Sequence, residues 1–330
     1  MDVLVTGGAG FIGSNLCRAL RGSGRAERLI VLDDLSTGAA SNVADVRSVE
    51  LVEGSILDER LVSELVAEVD AIVHLAAIPA VPRSLKNPRA SHEANATGTV
   101  VVLEAARERG AHVVVASSSS VYGRGVTLPT REDHATRPVS PYAASKLATE
   151  SYALAYARSF GLPVLAFRFF NVFGPFQRAD HAYAAVIPAF VDAALADEQL
   201  TIHGDGTQTR DFTYVGDVTA VLADALGRAV MVDQPVNLAF GTRTSLLSLV
   251  SELESLLGRP LRTRHGPPRA GDVHDSQGDA TMLRGLFPDV APTDLAVGLK
   301  ATLEWFAADA GDRNAPGEEG SARPEVIASA

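Results

Sequence analysis

A tyrosine and a lysine stand four residues apart in "SPYAASK", residues 140–146. Ser140 and Pro141 make a helix start, with serine as N-cap and proline at the first helical position. Tyr142 and Lys146 would then share one helix face. An ammonium held beside a phenol favours the phenolate and turns tyrosine into a usable base. An exposed amphipathic helix could carry the same pair, and the spacing alone leaves both readings open. A second set of residues is built for binding. "TGGAGFIGS" spaces Gly7, Gly10 and Gly13 as G-x-x-G-x-x-G between a β-branched run and a helical pattern. Such glycines let the backbone turn tightly and approach a pyrophosphate at a helix N-terminus. Asp33 closes the next apolar run, about twenty residues on, where a carboxylate can accept both hydroxyls of an adenosine ribose and repel a 2′-phosphate. Asp34 beside it strengthens the preference for NAD over NADP.

These residues need a scaffold, and the hydropathy pattern supplies one. Short β-branched runs at 3–7, 28–35, 49–55, 71–77, 112–119 and 163–172 alternate with helical patterns near 13–22, 58–67, 91–109 and 142–160. Strands apolar on both faces and joined by helices predict a parallel sheet covered on both sides, the doubly wound α/β class. Ligands of that class bind beyond the carboxyl ends of the strands. After residue 172 prolines, glycines and short helical stretches dominate, which predicts a smaller lobe from 173–210 and 241–309. A helix near 214–228 and a strand at 235–240 return to the first domain, 1–172. From 310 to 330 the chain is polar and rich in Gly, Ala and Pro, the composition of a disordered tail.

The 330 residues are 46% hydrophobic and 21% charged, as in packed globular enzymes. A formal net charge of -11 argues against nucleic acid or an anionic membrane as partner, so an anionic ligand must be held by local groups. One cysteine, Cys17, allows no intrachain disulfide and no thiolate metal cluster, and its apolar helical setting predicts a buried thiol. No metal site is expected. No basic leader precedes the first strand and no apolar run of about 18 residues occurs, so a cytoplasmic location is expected.

Taken together, G-x-x-G-x-x-G, "HLAA" at 74–77, "SSSSVYG" at 117–123 and Y-x-x-x-K resemble the extended short-chain dehydrogenase/reductase family. More narrowly, residues 2 to about 307 are similar to its NAD-dependent sugar-nucleotide epimerases and dehydratases, close to UDP-hexose 4-epimerases. The resemblance implies a Rossmann domain holding NAD and a smaller lobe holding a UDP-sugar. It gives Tyr142 the role of base, Lys146 that of lowering its pKa and binding the nicotinamide ribose, and Ser118 that of bonding the sugar 4-oxygen and relaying its proton. The cofactor would lie along Gly7, Gly10, Phe11, Ile12 and Gly13, with Asp33 and Asp34 at the ribose. Ser55 and Ile56 would meet the adenine, and Leu75, Ala76, Ala77 and Asn95 would lie near the cofactor. The substrate diphosphate would be held by Asn171, Arg210 and Arg269, the uridine ribose by Asp272.

Two positions speak to the reaction. Dehydratases of this family carry Asp then Glu after the Ser118 position, and this chain has Ser119 and Ser120. Serine hydroxyls are too weakly acidic to replace that pair, which favours epimerisation at C4; a dehydratase of an antibiotic or cell-surface glycan pathway is the runner-up, and a non-catalytic NAD-binding protein the alternative of another class. For the sugar, Ser276 falls where a bulky tyrosine would exclude an N-acetyl group, and "VPRS" at 81–84 resembles enzymes accepting N-acetylated sugars. The expectation is interconversion of UDP-GlcNAc and UDP-GalNAc, with UDP-glucose and UDP-galactose as further substrates. Arg178 keeps a uronic acid substrate in view. His74 is expected to be a packed strand-end histidine, Trp305 a packing anchor. The helices near 91–109 and 142–160 are expected to pair two copies into a homodimer.

Overall fold

The computed structural model describes residues 1–179, 184–267 and 273–313. Its framework is one parallel sheet of seven strands. The first six are β1 (Asp2–Thr6), β2 (Arg28–Asp33), β3 (Val49–Glu53), β4 (Ala71–His74), β5 (His112–Ser118) and β6 (Val164–Phe169). Of the later strands β7 (Asn171–Phe173), β8 (Leu200–His203), β9 (Thr209–Arg210), β10 (Phe212–Tyr214) and β11 (Val236–Leu238), only the last joins the sheet, beside β6. β12 (Thr244–Ser245) and β13 (Thr263–Gly266) make small pairings with β9 and β8.

The spatial order is β11-β6-β5-β4-β1-β2-β3. Chain direction of winding reverses at β1 and β4, which pair through Val3–Ala71 to Thr6–His74. A crevice opens beyond the carboxyl ends of the strands at such a reversal. The strands read as unbroken apolar runs because both sheet faces are covered. Leu4, Ile30, Leu32 and Ile72 pack on one side, and Val3, Val5, Leu29 and Val31 on the other. Each such side chain contributes about 1.5–3 kcal/mol on burial.

The helices α1 (Phe11–Gly22), α2 (Glu59–Val66), α3 (Val81–Lys86), α4 (Pro88–His92), α5 (Gly98–Arg109) and α6 (Pro141–Phe160) fill the crossovers. Ser140 caps α6 as its sequence predicts, accepting the Ala143 N–H at 3.1 Å. The expected 91–109 helix is interrupted: Glu93–Thr97 form a π turn between α4 and α5. The expected strand at 71–77 ends at His74, because Leu75–Ala77 turn out to line the crevice. The run 163–172 divides into β6 and β7, the second pairing with β10 instead of the main sheet.

The later helices are α7 (Val186–Leu195), α8 (Val215–Gly227), α9 (Leu246–Leu257), α10 (Thr281–Leu286) and α11 (Leu295–Arg313), and a separate apolar cluster forms among α7, α9 and α11. Its members Phe173, Ile187, Phe190, Leu249 and Leu303 come from α7, β7, α9 and α11, while α8 and α10 face the main sheet core. α11 runs on to Arg313, so residues 310–313 are helical, not tail, and 314–330 lie outside the described residues. No described helix is long and apolar enough to cross a membrane.

Candidate active site

A cavity of about 720 Å³ occupies the crevice. Its floor is the glycine turn between β1 and α1. Gly7 has φ +70°, and a Cβ there would lie 2.6 Å from the Ala76 backbone nitrogen. A Cβ on Gly13 would lie 2.3 Å from the Gly7 carbonyl oxygen, so α1 can start this close to the strand only with glycine. The first intrahelical bond of α1 runs from Ser14 N–H to Gly10 O. The N–H groups before it point along the helix axis into the crevice, where Gly10, Phe11, Ile12 and Gly13 line the wall.

Asp33 ends β2 at one end of the cavity, buried. One carboxylate oxygen accepts Ala9 N–H at 2.9 Å and the other accepts Leu35 N–H at 2.9 Å. Burial pushes its carboxyl above the ordinary range, and those two amides oppose the shift. Asp34 accepts from the backbone and hydroxyl of Ser36 at 3.0 and 2.5 Å. Ser55, Ile56, Leu75, Ala76 and Ala77 line the wall. The side chain of Gln177, at the loop crossing from β7, has its carbonyl oxygen buried with no partner among the described residues. A glycine cradle, a helix start, a paired carboxylate at the strand end and an orphaned acceptor fit a dinucleotide.

Ser118, Tyr142 and Lys146 line the cavity together. Ser118 closes β5 and accepts from Ser120 N–H at 3.2 Å and from Ser120 Oγ at 2.9 Å. Tyr142 lies in the first turn of α6. Burial pushes the phenol up and the Ser118 hydrogen bond pulls it down. Lys146 is buried too, and burial pushes its ammonium down to about 8. Desolvation is the larger influence on both groups.

A second layer fixes these three. Ser117 Oγ donates to Glu150 at 2.8 Å, and Glu150 takes two bonds from Arg168 at 2.9 and 2.6 Å. Both charged side chains are about 5% exposed. Asn95, expected near the cofactor, does not line the cavity. Its amide oxygen accepts Ile78 N–H at 2.7 Å and its nitrogen donates to Ile78 O at 3.2 Å and Ser145 Oγ at 2.9 Å. It ties the lining loop to α6. His74 is packed as expected, held by Thr6 and Thr99 at 2.8 and 3.0 Å, with burial pushing its imidazole down to about 3. Cys17 is buried and its thiol is pushed up to about 12 by desolvation.

The substrate-side residues divide. Arg178 is exposed and lines the cavity. Asn171 lies outside the lining, its amide donating to Asp211 O at 3.4 Å. Arg210 and Ser276 also lie outside it, where β9 meets the segment 274–276: Arg210 donates to Thr209 O and His274 O at 2.9 Å, and Ser276 N–H to Thr209 O at 3.1 Å. Arg269 and Asp272 lie outside the described residues. Among the lining residues that sequence reasoning missed are Ser36, Arg83, Phe170 and Phe176. Phe176 has φ +66° and lies between the Arg18 guanidinium, 4.1 Å above its ring, and Trp305 at 5.2 Å. Trp305 is thus the packing anchor expected, and it props a cavity wall. The described residues hold no cluster of metal-ligating side chains.

A parallel sheet wound 3-2-1-4-5-6, a glycine cradle and a Ser-Tyr-Lys set define a dinucleotide-dependent enzyme of the short-chain dehydrogenase/reductase type. Residues 3–239 match the NAD dependent epimerase/dehydratase family, and the chain belongs to it. It is 39% identical over 316 residues to the UDP-glucose 4-epimerase of Mycolicibacterium smegmatis, covering 93% of this chain and 98% of that one. Among solved structures it is similar to the UDP-N-acetylglucosamine 4-epimerase of Methanobrevibacter ruminantium M1 in complex with UDP-N-acetylmuramic acid. That likeness has a TM-score of 0.87 at 30% identity, over 93% of this chain and 98% of the other. MoeE5 in complex with UDP-glucuronic acid and NAD matches with a TM-score of 0.82 at 36% identity, over 94% and 100%. The cofactor of this family is NAD, and the protein is an NAD-dependent nucleotide-sugar epimerase/dehydratase family enzyme.

Proposed function

We propose that the protein is a UDP-sugar 4-epimerase that interconverts UDP-GlcNAc and UDP-GalNAc, with UDP-glucose and UDP-galactose as further substrates. One observation carries the reaction type. The described carboxylates that line the cavity of Ser118, Tyr142 and Lys146 are Asp33, Asp34 and Glu93, and none follows Ser118 in its own turn. Asp33 and Asp34 belong to the β2 end, and Glu93 is ion-paired with Arg89 at 2.7 Å. Dehydration needs an acid and a base at C5 and C6, whereas removal and return of hydride at C4 needs only one proton-transfer group.

Bound NAD supplies the hydride acceptor and donor. Tyr142 takes the 4-hydroxyl proton, with Ser118 bonded between the sugar oxygen and the phenol. Lys146 holds the nicotinamide ribose, and its charge opposes the desolvation that keeps the phenol protonated. The 4-keto sugar, tethered through its diphosphate, then turns and is reduced on its other face while Tyr142 returns the proton. In this reading residues 1–172 with 211–240 carry the cofactor. The lobe of 173–210 and 241–309 carries the UDP-sugar, with Asn171, Arg210 and Arg269 at the diphosphate and Asp272 at the uridine ribose. Small Ser276 leaves room for an N-acetyl group. A uronic acid is the second reading, favoured by the Arg178 guanidinium at the cavity wall.

Tyr142→Phe tests the proton-transfer role. Turnover should fall by about 10²–10⁴-fold, while UDP-sugar affinity by calorimetry stays within a few fold. Activity within tenfold of the unaltered enzyme would mean that another group is the base.

A further inference from the structure

Asp211 stands between β9 and β10, wholly buried. Each oxygen of its carboxylate accepts two bonds from neutral donors. Oδ1 accepts the Thr242 N–H and hydroxyl at 3.2 and 2.9 Å, and Oδ2 accepts the Gly241 and Gly278 N–H groups at 3.1 and 2.9 Å. A buried carboxylate is costly unless it is satisfied in this way. One side chain thereby joins its own strands, the loop after β11 and the segment 274–278. Three residues of the proposed substrate site converge on it. Arg210 is its chain neighbour. Asn171 bonds its main-chain carbonyl, from the backbone N–H at 3.2 Å and from the amide at 3.4 Å. Ser276 lies two residues before Gly278, on a segment that Thr209 and Arg210 also hold through His274 O, at 3.1 and 2.9 Å. We propose that Asp211 is a positioning residue whose carboxylate, by bridging Gly241 and Gly278, holds Asn171, Arg210 and Ser276 in the relative positions that the nucleotide diphosphate and its sugar require.

The frame leaves little slack. A Cβ on Gly278 would lie 2.8 Å from Ala239 Cβ and 3.0 Å from Phe170 Cζ, and Phe170 lines the cavity. Thr130 secures the same segment separately: its N–H donates to Gln277 O and its carbonyl accepts the Asp279 N–H, both at 2.8 Å. Loss of the Asp211 bonds therefore shifts the segment locally, and the seven-stranded sheet, to which Asp211 does not belong, stays intact. Asparagine has the size of aspartate but a single acceptor oxygen. Its amide can serve either the Thr242 donors or the Gly241 and Gly278 donors, and its NH₂ then faces the N–H groups left over.

This inference rests on the UDP-sugar reading of the site, and its test uses the full chain with UDP itself as the probe. Asp211→Asn should weaken UDP binding in calorimetry by about 10–100-fold, the size of lost bonds to a charged acceptor. Its NAD content should match that of the unaltered protein. With a UDP-sugar that is turned over, KM should rise while kcat stays within about threefold. A merely structural role would instead lower NAD content and kcat together with UDP affinity. If Asp211→Asn does not fold, Thr242→Val, which deletes only the hydroxyl bond, should weaken UDP by about three- to tenfold with NAD retained. UDP held as tightly by the folded variants as by the unaltered chain overturns the proposal, and so does a loss of NAD and kcat in step with UDP. An unaltered chain that binds no UDP would sink the substrate reading itself, and the inference with it.

Discussion

Tyr142 sits where burial works against ionisation, and the groups that oppose burial are few. Ser118 pulls the phenol down, and Lys146 on the same helix is itself pushed down to about 8. The ammonium is therefore present below pH 8 and is lost as pH rises through that value. Turnover should show a basic limb with a midpoint near pH 8, read from a pH–rate profile. Lys146→Arg, which stays charged over the whole range, should remove that limb even where its rate is lower. A limb unchanged in Lys146→Arg would assign it to another group. The same shift has a stability consequence. Between about 8 and the ordinary lysine value of 10.5 the folded chain holds fewer protons at this site than the unfolded one, so this group's contribution favours folding as pH rises through that window. The sequence pattern revealed Tyr142 and Lys146 through their spacing, but the direction of the phenol shift was hidden. It depends on how deeply α6 and β5 bury the pair.

The glycine turn joins residue chemistry to the sheet. Gly13→Ala would put a Cβ 2.3 Å from the Gly7 carbonyl, so α1 must move away from β1. The protein should then purify with less than a tenth of its NAD, read as the ratio of absorbance at 260 and 280 nm after desalting. Full NAD occupancy in that variant would contradict the cradle. The main elements were legible because period and punctuation agree: apolar runs, Gly10 at the start of α1, and Ser140-Pro141 at the start of α6. What was not legible depends on partners far along the chain. The π turn at Glu93–Thr97 forms where the Asn95 carbonyl accepts hydroxyls from Thr99 and Thr149, the second 54 residues away. Phe176 reaches the cavity through a left-handed backbone position in a loop that Trp305 and Arg18 brace from opposite ends of the chain. Helical or strand periodicity carries no trace of such a contact. Asn95 shows the opposite case. Its motif marked the right neighbourhood, and only the hydrogen bonds reveal that it supports the wall from behind.

At the scale of the molecule, a net charge of -11 repels anionic ligands, yet the crevice collects helix N–H groups, Lys146 and Arg178 on its walls. Binding of NAD and a nucleotide sugar is thus a local property set against the overall field. A homodimer through the 91–109 and 142–160 helices is a further expectation. The half-exposed Tyr152 and Phe160 on α6 support it, at 46% and 57% accessibility. Light scattering at micromolar concentration should give twice the chain mass of 34.6 kDa, and a monomer would reject the pairing. The central claim is hydride removal and return at C4 of a UDP-sugar, and it is tested most directly by proton NMR in D₂O. Purified protein is incubated with UDP-GlcNAc alone, then with UDP-glucose and UDP-glucuronate. The account predicts that UDP-GalNAc signals grow to a constant ratio, with no deuterium at C4 or C5 because the hydride returns to the carbon it left. Deuterium at C5 with a 4-keto-6-deoxy product, or no 4-epimer from any of the three sugars, would contradict it.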